Sequence, residues 1–151
     1  MSPGHGWLPA LRRYLMISAI GNGLWEIVQL PLYTIWHNGT AREQFVAVTH
    51  CTAGDVLIAL SAWACAVVIA GRPDWPTLAF GPVAVITLIV GLVYTGFSEL
   101  LNTMVRRSWS YSDLMPLIPG LGVGLSPVLQ WLAVPVVALW AARRTPVKIR
   151  R

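Results

Sequence analysis

Four long apolar runs separated by polar breaks dominate the pattern of the chain. They cover about residues 14–36, 45–70, 77–100 and 121–142. Each is long enough to cross a hydrocarbon core of roughly 30 Å as a helix. The breaks carry turn chemistry: His37-Asn38-Gly39-Thr40 after the first run, and Gly71-Arg72-Pro73-Asp74-Trp75-Pro76 after the second. Residues 102–113 form the most polar loop. Pro31 is expected to kink or end the first helix, Gly81-Pro82 to bend or delay the third, and Pro127 and Pro135 to interrupt the fourth. Residues 115–124 are apolar but rich in Pro and Gly, which predicts a partly inserted loop closing one end of the bundle. Residues 1–13 read as a flexible end, with Trp7 and Tyr14 near the headgroups. Trp36, Trp75, Trp109 and Trp140 fall at expected interfaces.

Composition turns these runs into membrane spans. Hydrophobic residues make up 56% and charged residues 11% of the 151, against roughly 25% charged in soluble domains. Mean hydropathy is +0.62. The expected fold is all-α: one integral membrane domain over residues 1–151, a polytopic bundle of four transmembrane helices. The net charge of +5 lies largely in Arg143, Arg144, Lys148, Arg150 and Arg151, with Arg12 and Arg13 flanking the first span. That distribution argues for cytoplasmic anchors rather than nucleic-acid binding. Placing both termini in the cytoplasm also puts Arg72 inside and leaves Arg42, Arg106 and Arg107 outside. The expected location is a bacterial inner (plasma) membrane. The first run lacks a small-residue cleavage site and reads as a retained span. Cys51 and Cys65, about 21 Å apart along one helix, indicate no disulfide.

Polar residues inside the spans carry the candidate chemistry. A charged group near a bilayer centre costs roughly 2.5 kcal/mol or more unless paired or hydrated. Asn22 and Glu26 share a helix face and Gln29 falls close to it. His50 and Asp55 lie early in the second span, about 140° apart around the helix. Gly54 beside them is expected to admit a close helix neighbour. Thr95, Glu99 and Asn102 form an i, i+4, i+7 stripe, and Ser126 and Gln130 are four apart. With both termini inside, these groups share the outer half of the bilayer. The inner halves of the second and third spans carry almost nothing ionisable, which argues for a blind pocket rather than a channel.

A carboxyl group removed from water favours its neutral form, and an imidazole takes protons near neutrality. Glu26, His50, Asp55 and Glu99 are therefore the candidate catalytic set. Asn22, Trp25, Gln29, Tyr33, Asn102 and Gln130 are candidate substrate contacts. Arg106 and Arg107 suit an anionic headgroup, or pair with Glu99. The expected activity is acid–base chemistry (isomerisation, hydration or hydrolysis) by an isomerase or hydrolase of lipid metabolism, on a lipid or isoprenoid. A small transporter or channel, or an accessory subunit of a membrane complex, is the alternative. The acids and imidazole would suit Zn, Fe or Mn, but no compact ligand motif such as His-Glu-x-x-His is present. No metal or cofactor is assigned. Expected partners are the bilayer and a hydrophobic small molecule, with no nucleic acid. Gly120-Leu121-Gly122-Val123-Gly124 permits close contacts, including those of a homo-oligomer. The four-span layout with outward acids resembles the signal peptidases that process bacterial lipoproteins, in layout alone and with no shared motif.

Overall fold

Small and polar residues make up much of the inside of the bundle, around a few large side chains such as Tyr14, Trp131 and Leu139, and large apolar ones cover its outside. The computed structural model describes residues 7–70 and 75–144. Among the described residues there are five α-helices: α1 Trp7–Gln29, α2 Ile35–Asn38, α3 Ala41–Ala70, α4 Phe80–Leu100 and α5 Leu125–Arg143. A 3-10 turn, Leu30–Leu32, follows α1, and a π-turn, Leu101–Val105, extends α4. The inner stripe of α1 is Ala10, Tyr14, Ser18 and Asn22, while Met16, Ile20, Leu24 and Ile27 face outward. On α4 the buried stripe is Val83, Thr87, Gly91, Thr95 and Glu99, and Val85, Ile89, Val93 and Phe97 face outward. Water would select the reverse arrangement. Lipid selects this one, because small residues let helices approach and the apolar exterior costs nothing in hydrocarbon. The protein is an all-α, polytopic membrane protein with, among the described residues, four helices long and apolar enough to span.

The four long helices form a ring, α1 packing on α3 and α5, and α4 on the same two. Neighbours run antiparallel. Tyr14 Oη donates to the Ala59 carbonyl (3.3 Å), and Trp7 stacks on Trp63 one level further along. Gly21 meets Val134, whereas Gln29 meets Ser126. Gly91 lies against Trp131, whereas Phe80 lies under Arg143. Gly91 is one of the positions that glycine must occupy: an added Cβ would enter the Trp131 ring.

The helix ends differ from the sequence expectation for identifiable reasons. α1 already includes Trp7 rather than starting near residue 14, and Pro9 lies within it. It ends at Gln29, and Pro31 stands in the 3-10 turn. α3 starts at Ala41 on a capping box: Glu43 Oε2 accepts from Thr40 N (2.7 Å) and Oγ1 (2.8 Å), and Glu43 N donates to Thr40 Oγ1. α4 starts at Phe80, after Ala79 in the left-handed region at φ 57°. α5 starts at Leu125, since Gly120 and Gly122 both have positive φ. Neither Pro127, in its first turn, nor Pro135 interrupts α5, which runs through both.

Residues 106–124 form an irregular segment across one end of the bundle, as the Pro and Gly content implies. Thr34 N donates to the Ser110 carbonyl (3.0 Å) and Ser112 N to the Leu32 carbonyl (2.9 Å), tying the segment to the end of α1. Trp75 is a correction. It is buried edge-on against Trp63 at 5.5 Å, so it is core rather than a headgroup anchor. Arg72, Lys148, Arg150 and Arg151, on which the charge asymmetry partly rests, lie outside the described residues, as do residues 1–6 and the rest of the connector 71–74.

Candidate functional site

Gln130, near the start of α5, is the hub of a polar network deep in the bundle. Its Nε2 lies 3.0 Å from Asn22 Oδ1, 3.1 Å from Glu26 Oε1 and 2.9 Å from Asp55 Oδ2. Two hydrogens therefore serve three acceptors on α1 and α3. Gln29 Nε2 donates to Glu26 Oε1 (2.9 Å) and Gln130 Oε1 (3.3 Å). Ser126 Oγ donates to Gln29 Oε1 (2.8 Å), and Trp25 Nε1 to Ser126 Oγ (3.0 Å). The i+3 and i+4 spacings on α1 and α5 put these groups on facing stripes, and antiparallel packing brings the stripes to one level.

A cleft of about 1310 Å³ opens beside this network. Glu26, His50, Asp55 and Glu99 all line it, so one space is shared by the four candidate ionisable groups. They are not equivalent. Glu99 is buried, and Glu26 and Asp55 are half-buried, whereas His50 is exposed. Glu26 and Asp55 accept from the same Gln130 nitrogen, a direct juxtaposition. Glu99 stands apart from that amide and instead accepts a short hydrogen bond from the Tyr111 hydroxyl, which itself accepts from Gly124 N (3.0 Å). Trp131 and Trp109 bring their indole nitrogens near Asp55 and Glu99 respectively, without reaching hydrogen-bond geometry.

No family model, curated protein or solved structure matches the chain. The chemistry of the site therefore follows from its own geometry alone.

Of the expected substrate contacts, Gln29, Tyr33, Asn102, Arg106 and Arg107 line the cleft. Asn22, Trp25 and Gln130 do not: they form the bonded layer behind it. Asn102 Nδ2 is engaged within its own helix, donating to the Ser98 carbonyl (2.9 Å). Neither Arg106 nor Arg107 pairs with Glu99. Both are exposed beyond the π-turn, Arg107 in the left-handed region at φ 53°, and the carboxyl partner is Tyr111. Gly54 corrects another expectation, since an added Cβ there would meet nothing within 4 Å. It borders the cleft rather than a helix neighbour. Among the described residues, no three His, Cys, Asp or Glu are arranged to hold a metal ion.

Three contributors escape sequence reasoning. Tyr111 reaches Glu99 from an irregular segment with no periodicity to announce it. Cys51 lines the cleft within electrostatic reach of Glu26, Asp55 and Glu99. Arg42 joins Arg106 and Arg107 at the mouth. Tyr33 packs on Tyr111 at 5.5 Å between centroids. Burial pushes both phenols well above the usual tyrosine value, and the nearby Glu99 carboxyl adds to the shift. Both therefore stay neutral, and Tyr111 stays a donor, through the physiological range.

Proposed function

We propose that the protein is a membrane-embedded enzyme that moves protons on a lipid or isoprenoid, with Glu26 and Asp55 as the working pair. The observation that carries this is their shared hold on Gln130 Nε2 beside a cleft, with neutral hydrogen-bond partners throughout. Two carboxyl groups placed so close share protons rather than both ionising, so one donates while the other accepts. That division of labour suits isomerisation or hydration of a double bond, in which a proton is added to carbon. Gln130, Gln29 and Asn22 hold the pair in register. Glu99 with Tyr111 forms a second proton-bearing site nearer the mouth.

A mixture of lipids can stand in for the substrate in the test. Purified protein in nanodiscs is incubated in deuterium oxide with a total lipid extract, and deuterium entering carbon positions is read by mass spectrometry. The wild type should label one lipid class. Glu26→Gln and Asp55→Asn should remain folded and lose the rate by about 100-fold or more, the usual range for general acid–base groups. Absence of labelling by the wild type, or full labelling by both variants, refutes the proposal.

A further inference from the structure

The cleft is layered along its length. At the mouth stand Arg42, Arg106 and Arg107, from the start of α3 and the exit of α4, all exposed and all lining the cleft. Among the described residues, no carboxylate pairs with any of them; the nearby Glu43 is occupied by Thr40. Below lie Glu26 and Asp55. Below those the lining turns apolar or small, with Ile58, Ser61 and Ala62 of α3 facing Val90 of α4. An anion is matched at the mouth and repelled by the acids part-way down.

The helices supply a ruler. Thirteen residues of α3 separate Arg42 from Asp55, a rise of about 20 Å. α4 gives a similar length. Asp55 lies beside Trp131, which packs on Gly91, and Gly91 is fifteen residues before Arg106. Subtracting the reach of an arginine leaves on the order of 10–15 Å between a bound anionic head and the carboxyl pair, or roughly ten chain carbons. The apolar slot from Asp55 to Ala62 continues about 10 Å further.

We infer that the occupant is an anionic single-chain lipid lying lengthwise, its head on Arg42, Arg106 and Arg107 and its mid-chain carbons between Glu26 and Asp55. The inference rests on the proposed function for the chemistry and adds the substrate class and the position of reaction: far along the chain, not beside the head. Gly54 provides the passage. It lines the cleft one residue from Asp55 with open space in front of it.

Photo-crosslinking tests this without turnover. Palmitate and hexadecyl phosphate are prepared with a diazirine near the head, at mid-chain or at the terminus, and crosslinked to the protein in nanodiscs. The mid-chain probe should label the turns around Glu26 and Asp55, and the terminal probe those around Ala62 and Val90. Stronger labelling by one of the two heads distinguishes carboxylate from phosphate. Joint replacement of the three arginines by Gln should weaken both acids about tenfold or more and leave hexadecanol unchanged. Gly54→Leu should abolish labelling by the mid-chain and terminal probes while an eight-carbon acid still binds. Indistinguishable sites for the three diazirine positions, or arginine replacement that leaves the acids unaffected, overturns the inference. A correct crosslinking ladder with no deuterium incorporation would instead sink the acid–base proposal and leave the lipid site standing.

Discussion

A single amide, Gln130, joins Asn22, Glu26 and Gln29 of α1 to Asp55 of α3. In hydrocarbon, no water replaces a lost partner. Gln130→Leu keeps the volume, strands Asn22 Oδ1 and Asp55 Oδ2 and leaves Glu26 and Gln29 only each other, so it should destabilise the fold by roughly 1–3 kcal/mol, measured by unfolding in mixed micelles. A value near zero would mean that water already bridges the network. Tyr33 and Tyr111 make a second residue-scale prediction. Both phenols are raised in the folded protein, mainly by burial and secondarily by Glu99. Their stabilising effect is whole below the unfolded tyrosine value of about 10 and is lost as pH rises beyond it, because the unfolded chain ionises first. Unfolding at pH 9 and pH 11 should show the loss, and Tyr111→Phe should flatten it. An unchanged slope in Tyr111→Phe would exclude that phenol as the cause. The α1 and α5 part of the site was legible because Asn22, Glu26, Ser126 and Gln130 obey helical spacing in runs where any polar group is conspicuous. Tyr111 was not, since only the folded path of an irregular segment brings it to Glu99.

Among the elements, glycines divide by what they face. Gly91 is pressed against the Trp131 ring, whereas Gly54 faces open space, and both lie inside helices. Gly91→Ala must displace the indole that packs α5 on α4, and should cost about 1–3 kcal/mol of overpacking. Gly54→Ala meets nothing and should gain up to about 1 kcal/mol from helix propensity. Melting of the two purified variants in one detergent checks the pair, and equal shifts would contradict the packing described. Hydropathy cannot make this distinction, because it scores both glycines alike. It located all four spans and misplaced their starts. The α3 start had a local signal in Thr40 and Glu43, whose mutual capping outweighs the apolar run that begins at Phe45. The α5 start had its signal in Gly120, Gly122 and Gly124, which favour irregular backbone over another helical turn.

For the whole molecule, helix order around the ring sets which polar stripes meet, and sidedness sets which leaflet the cleft serves. The first was beyond a hydropathy pattern, since packing of α1 between α3 and α5 depends on contacts such as Gly21 on Val134 and Tyr14 on Ala59. For the second, charge makes a prediction. Arg12 and Arg13 lie on α1 at the bundle end occupied by Arg143 and Arg144, while Arg42, Arg106 and Arg107 lie at the cleft end. The end with the excess of lysine and arginine favours the cytoplasmic side, and the basic tail residues follow Arg144 in the chain. The cleft should then open toward the outer leaflet and draw its lipid from there. In a protein with Cys51 and Cys65 changed to Ser, single cysteines at exposed Asn38, Ser108 and Arg144 report on the two ends. An impermeant maleimide added to intact cells should label Asn38→Cys and Ser108→Cys, and Arg144→Cys only after lysis. The opposite pattern would place the arginine mouth in the cytoplasm, where an anionic lipid would have to be drawn from the inner leaflet instead.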